Sequence, residues 1–185
     1  MRRLLPLILV LTAGCVDYVS VDYVIDLRAH KATITYQDLR GDGHDDFVTL
    51  MTKLIPEGNF EADFPRATVT RKEPVVRDGR LDVDVELSLP DPGAARLGAW
   101  DEAAPYRLCP PEGAVFVQTN ASWRDADGCV IWQKGTRTLR AQAVMQAVPT
   151  SGSLLGEFQH WDAAGRPDLG VEQPKADPAA DQPTP

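Results

Sequence analysis

Between Leu81 and Leu89 apolar and polar residues alternate without a break: Leu81, Val83, Val85, Leu87 and Leu89 against Asp82, Asp84, Glu86 and Ser88. A period of two sends the two sets to opposite faces of a strand. One face is hydrophobic and the other acidic, so the sheet holding this strand keeps one side in water. That is the habit of antiparallel sheets, whereas parallel sheets are covered on both faces. Asp78-Gly79, just upstream, is a strong two-residue hairpin signal and brings "VVR" back alongside. The carboxylates of Asp82, Asp84 and Glu86 read as a solvated face rather than a cation site.

The same period recurs near the start of the chain. Val19, Val21, Tyr23, Ile25 and Leu27 alternate with Ser20, Asp22 and Asp26, and after "RAHK" Ala32, Ile34 and Tyr36 alternate with Thr33 and Thr35. These runs predict an antiparallel hairpin. The period then changes: Phe47, Leu50, Met51 and Leu54 stand at i, i+3, i+4 and i+7, one face of a helix that Pro56 stops after Ile55. Further on, a helical turn is expected around Ala94 to Trp100, and two short strands flank the Pro110–Gly113 turn. Another strand, "CVIW", follows "RDADG", and Leu139 to Val148 suits either strand or helix. The expected fold class is therefore α+β: mainly antiparallel sheet, with one short helix packed on it.

Beyond Val148 the chain turns to Pro, Ala, Asp and Gln, a composition that cannot bury enough surface to fold alone. Residues 149–185 are expected to form a disordered acidic tail. Within it, 153–162 is a candidate amphipathic segment, because Leu154, Leu155, Phe158 and Trp161 can share one helix face. Docking of that face on the domain is preferred to capture of a partner.

The N-terminus reads as an export signal. Arg2 and Arg3 precede an apolar run from Leu4 to Leu11, far shorter than the ~20 residues a membrane-spanning helix needs. Thr12, Ala13 and Gly14 then lead into Cys15. These four residues resemble the lipobox of bacterial lipoproteins, with threonine where leucine is commonest. The resemblance covers the first fifteen residues and implies three things: cleavage after residue 14, acylation of Cys15, and location in the cell envelope with the domain facing the periplasm. An ordinary secretory signal cut near Gly14 is the alternative. Diacylglycerol plus an N-acyl chain, at ~0.8 kcal/mol per buried CH₂, makes a nearly permanent anchor. Val16 follows the cysteine, where aspartate favours the inner membrane in lipoproteins of the enteric type, so the resemblance leans towards the outer membrane. Residues 15–148 then form a single domain.

Loss of Arg2 and Arg3 with the signal takes the formal charge from -8 to -10. An acidic chain lacks the basic surface on which nucleic-acid affinity depends. With Cys15 acylated, Cys109 and Cys129 remain as a pair in an oxidising compartment and are expected to form a disulfide rather than stay as buried thiols. Such a bridge is worth ~3 kcal/mol in the loop-entropy model.

One stretch has the look of a cofactor site. "DLRGDGHDDF" resembles the calcium loops of integrin-type propeller repeats, with Asp38, Asp42 and Asp46 at ligand positions one, five and nine. Position three, however, is Arg40, a cation with no acceptor, and position twelve is Thr49, with no carboxylate. The calcium reading is rejected in favour of a glycine turn at Gly41 and Gly43, followed by a helix cap from Asp45 or Asp46. His30, His44 and His160 share no metal-ligand spacing. No nucleophile elbow, zinc-protease, P-loop or dinucleotide motif is present. "NAS" at Asn120 has the form of a glycosylation acceptor, without meaning in a bacterial lipoprotein. No cofactor is expected.

Two functions fit these observations. One is a non-enzymatic assembly, accessory or scaffolding component of the envelope, held by lipid and binding a protein partner. The other is a binder of lipid or glycan that uses a sheet face lined by aromatics. Trp123, Trp132, Phe158 and Trp161 are the candidate binding residues, and core packing of tryptophans, Trp100 included, is the competing reading.

Overall fold

The computed structural model describes residues 16–54, 67–89 and 106–169. The lipobox residues, the turn expected at Ala94 to Trp100 and the acidic end from residue 170 lie outside them. Strands β1 (Asp17–Asp26) and β2 (Lys31–Gly41) form the expected hairpin, and α1 (His44–Leu54) follows with Phe47, Leu50, Met51 and Leu54 buried. A second hairpin, β3 (Thr68–Arg77) and β4 (Arg80–Ser88), turns at Asp78-Gly79, both with positive φ, as this kind of two-residue turn demands. The remaining strands are β5 (Tyr106–Leu108), β6 (Ala114–Thr119), β7 (Trp123–Arg124), β8 (Val130–Trp132), β9 (Thr138–Met145) and β10 (Gly152–Ser153). Helix α2 (Leu155–Ala163) comes last.

The large sheet runs β3-β4-β2-β1-β9-β6, antiparallel throughout, and β10 adds to β2 beyond the end of β4. The ambiguous run from Leu139 is strand β9, lodged between β1 and β6. A strand of alternating Leu139, Ala141 and Ala143 buries one face there, which a helix in this position would not match. The strands either side of the Pro110–Gly113 turn do not pair with one another. Instead β6 joins the large sheet, while β5 joins β8 and β7 in a small one. The Cys109–Cys129 disulfide, with Cα atoms 4.1 Å apart, ties the end of β5 to the start of β8.

The inward side chains of the large sheet, among them Val21, Tyr23, Ile34, Val83, Val85 and Phe116, form one core with α1, α2 and Trp132 of the small sheet. The simple alternation fails at one place. Val19, expected inside, is half-buried, while Tyr18 is buried and stacks edge-on against Tyr36 at 5.2 Å. In β2 the inward set likewise steps from Ala32, Ile34 and Tyr36 to Leu39, the register partner of Tyr18. Between them sits Asp38 with φ 54°, a left-handed conformation that aspartate tolerates better than most residues. One such residue rotates the strand and moves the following side chains to the other face.

The segment beyond Val148 is folded further than the composition implies. Leu154 is 1 % exposed and donates its N–H to Leu39 O at 3.1 Å, and Phe158 is buried in the core. The domain thus continues through α2. This end is fastened by a tight crossing at Gly41, where a Cβ would stand 2.8 Å from Asp46 Cβ and 3.1 Å from Leu154 Cδ2. Gly41→Ala should cost about 1–3 kcal/mol in urea unfolding, because α1 or Leu154 must give way. Gly152→Ala, whose methyl would come no nearer than 3.8 Å to Gly41 O, should stay within about 0.5 kcal/mol of the parent.

Candidate functional site

The outward face of the large sheet carries a row of polar side chains directly opposite one another: Glu73, Asp84, Thr35, Asp22, Gln142 and Gln118. They come from six different strands, so the register of the whole sheet sets the row. Neighbours close it with hydrogen bonds. Thr35 Oγ1 donates to Asp84 Oδ1 at 2.9 Å, Gln37 Nε2 to Asp22 Oδ2 at 2.8 Å, and Ser20 Oγ to Gln37 Oε1 at 2.6 Å. Arg77 pairs with Asp84, and Arg71 with Glu73 and Glu86.

Charge is distributed unevenly along this row. Burial pushes the Asp84 carboxyl up, but hydrogen bonds from Arg77 and Thr35, with the charge of Arg77, outweigh it and leave the group below its usual value. Asp22 goes the other way. Its desolvation exceeds the help from Gln142 and Gln37, and the charge of Asp82 adds to the rise.

Asp82, read from sequence as part of a solvated face, is 1 % exposed. Its Oδ1 accepts the N–H of Asp38 at 3.0 Å, and Arg77 reaches to 3.7 Å from its Oδ2. Two carboxylates of the rejected calcium loop, those of Asp38 and Asp46, also have local partners. Asp38 Oδ2 accepts from Arg40 at 2.9 Å, and Asp46 Oδ2 accepts the N–H of Asp42 at 2.6 Å, closing the turn into α1. His44 Nδ1 lies 3.3 Å from Glu157 Oε2, linking α1 to α2. Among the described residues no three His, Cys, Asp or Glu side chains are grouped so as to hold a metal ion.

The four candidate aromatics do not share a surface. Trp132 is 1 % exposed, and Phe158 is also in the core, so both are corrected from binding to packing residues. Trp161 packs edge-on against Phe47 at 5.9 Å, donates Nε1–H to Pro167 O at 2.9 Å and lies under the guanidinium of Arg166. Trp123, on β7, is 45 % exposed. It follows directly from β6, the edge strand of the large sheet, where Val115 and Val117 are also exposed. Val117 is the extra residue of a bulge between Phe116 and Gln118, a device that commonly marks sheet edges.

A residue without a functional reading in the sequence joins the two sheets. Asn120 Oδ1 accepts from Trp132 Nε1 at 2.6 Å and from the Arg140 N–H at 2.8 Å, while its Nδ2 donates to Thr138 O at 2.9 Å. The small sheet is further closed by Arg107, which donates to Asp125 at 2.7 Å and Asp127 at 3.0 Å.

The family models, the curated proteins and the solved structures contain no match to this chain.

Two substitutions test this arrangement. A raised carboxyl favours the folded state fully below pH 3.8, and that contribution is lost as pH rises through the folded value. Asp22→Asn should therefore raise the urea midpoint at pH 7 and leave no advantage at pH 3. A lower midpoint at pH 7 would mean that the amide hydrogen bonds outweigh desolvation. Asn120→Ala strands the buried Trp132 N–H and should cost about 1–3 kcal/mol, read by urea unfolding.

Proposed function

We propose that this chain is a non-enzymatic lipoprotein of the bacterial envelope, held by acyl groups on Cys15 and serving as an assembly, accessory or scaffolding component that binds another envelope protein. The observation that carries the proposal is the run Thr12-Ala13-Gly14-Cys15 after a short apolar segment. Val16 in place of aspartate supports the outer membrane, with the domain on the periplasmic side.

The domain suits a binding role. Its polar face is occupied by internal hydrogen bonds: Ser20 bonds to an amide rather than a base, and Asp84 is neutralised by Arg77. Among the described residues, no helix is long and apolar enough to cross a membrane, so lipid on Cys15 supplies the attachment in this reading. Val115 and Val117 are exposed on β6, an edge strand of the large sheet where a partner's strand can add main-chain hydrogen bonds, and Trp123 is exposed on β7, an edge strand of the small one. A ligand-binding face of aromatics gains no such support, since Trp132 and Phe158 belong to the core.

Radiolabelled palmitate should enter the parent protein and not Cys15→Ala, which should leave the membrane fraction. Crosslinking in intact envelopes should recover a defined protein partner. The double variant Val115→Lys/Val117→Lys should lose that partner while unfolding within about 1 kcal/mol of the parent, since both side chains are exposed. Recovery of abundant porins alone would count against the proposal.

A further inference from the structure

The fold leaves no slack between the proposed anchor and the domain. Val16 is 7 % exposed and part of the core, and β1 begins at Asp17. Cys15 is bonded to Val16, so consecutive Cα atoms are about 3.8 Å apart. Many tethered domains hang from a flexible linker that lets them tumble, whereas here the acylated residue would be joined directly to a packed strand.

Sheet register identifies what else lies at that end. Asp17 is opposite Arg40, so the end of β2 and the Gly41–Gly43 turn are there. Gly41 is opposite Gly152, which brings β10 with its exposed Ser153. Ser20 is opposite Val144, so β9 ends at the same pole and continues into the segment Gln146–Pro149. That segment contains Val148, 63 % exposed and the most exposed large hydrophobic side chain among the described residues. The opposite pole holds the Leu27–His30 turn and the Gly135 turn, joined where Leu27 N–H bonds Arg137 O. Ten residues of β1 separate the poles by roughly 30 Å, at about 3.3 Å per residue.

We infer that the domain sits directly on the bilayer by the pole formed by the start of β1, the Gly41–Gly43 turn, Gln146–Pro149 and Ser153, with Val148 dipping into the headgroup layer and the Leu27–His30 turn standing away from it. The inference rests on acylation of Cys15. It explains why a valine is left exposed beside the N-terminal strand: a single apolar side chain adds a second, weak membrane contact next to the lipid, and two contacts resist tilting where one does not.

The test uses full-length protein, purified from membranes with its palmitate verified and reconstituted into phosphatidylethanolamine–phosphatidylglycerol vesicles. A fluorescent amino acid is placed at Ser153 or at Ala29, and a headgroup-linked acceptor reports proximity. Energy transfer should be severalfold greater from position 153 than from 29, and Val148→Lys should narrow that ratio without releasing the protein. Equal transfer from both positions, or greater transfer from 29, would overturn the seating while leaving the lipid reading intact. Absence of palmitate would overturn the lipid reading and the seating with it. An unchanged ratio in Val148→Lys would remove Val148 from the contact surface.

Discussion

The buried carboxylate of Asp82 holding the N–H of Asp38 is the contact on which the geometry of the whole N-terminal half turns. Asp38 adopts a left-handed conformation in mid-strand, and Asp82, from the neighbouring strand, fixes the peptide in that orientation. The inward faces of β1 and β2 switch there, so Tyr18 and Leu39 enter the core in place of Val19. Leu39 in turn offers its carbonyl to Leu154, which starts α2. A polar group this deeply buried is tolerated only where its partners compensate the loss of water. The backbone donor, with Arg77 nearby, provides that compensation.

The two faces of the sheet divide the labour of holding the fold together. The inner face is a conventional packed core. The outer face carries amides, hydroxyls and ion pairs, and its members from β3 to β1 are joined by hydrogen bonds and ion pairs. Such a lattice specifies register, because a slip by one residue would expose apolar side chains and break each pair at once. Exposed apolar side chains lie elsewhere, among them Val115 and Val117 on β6, Trp123 on β7 and Val148 beyond β9.

Much of this was legible in local periodicity. The alternation from Leu81 to Leu89, the helical spacing of Phe47, Leu50, Met51 and Leu54, and the Asp78-Gly79 turn each need only neighbouring residues, and each fixed an element. The disulfide followed from counting cysteines, since setting Cys15 aside leaves Cys109 and Cys129 as a pair. The misreadings arose where distant segments meet. Asp82 resembles Asp84 and Glu86 in sequence, and only the arrival of Asp38 buries it. Trp132 could have lined a groove, but Asn120 draws its indole N–H inwards. Residues 149–169 carry tail-like prolines, and their order depends on Leu39 and Gly41, more than a hundred positions earlier. Asn120 itself offered no signal beyond an acceptor-like tripeptide.

The position of β9 bears on how the chain reaches this state. Both edges of the β1–β2 hairpin must be paired, and β4 closes one of them after α1 and β3. The other is closed by β9, whose nearest partner contact, Thr138 with Asp26, spans most of the domain. During synthesis the open edge of β1 is therefore available to any extended segment until Met145 has emerged. Non-local pairing of this kind slows folding, and an unpaired strand edge is a template for aggregation. For this protein the vulnerable interval lies in biogenesis, and it ends when a single late strand slides into the middle of the sheet.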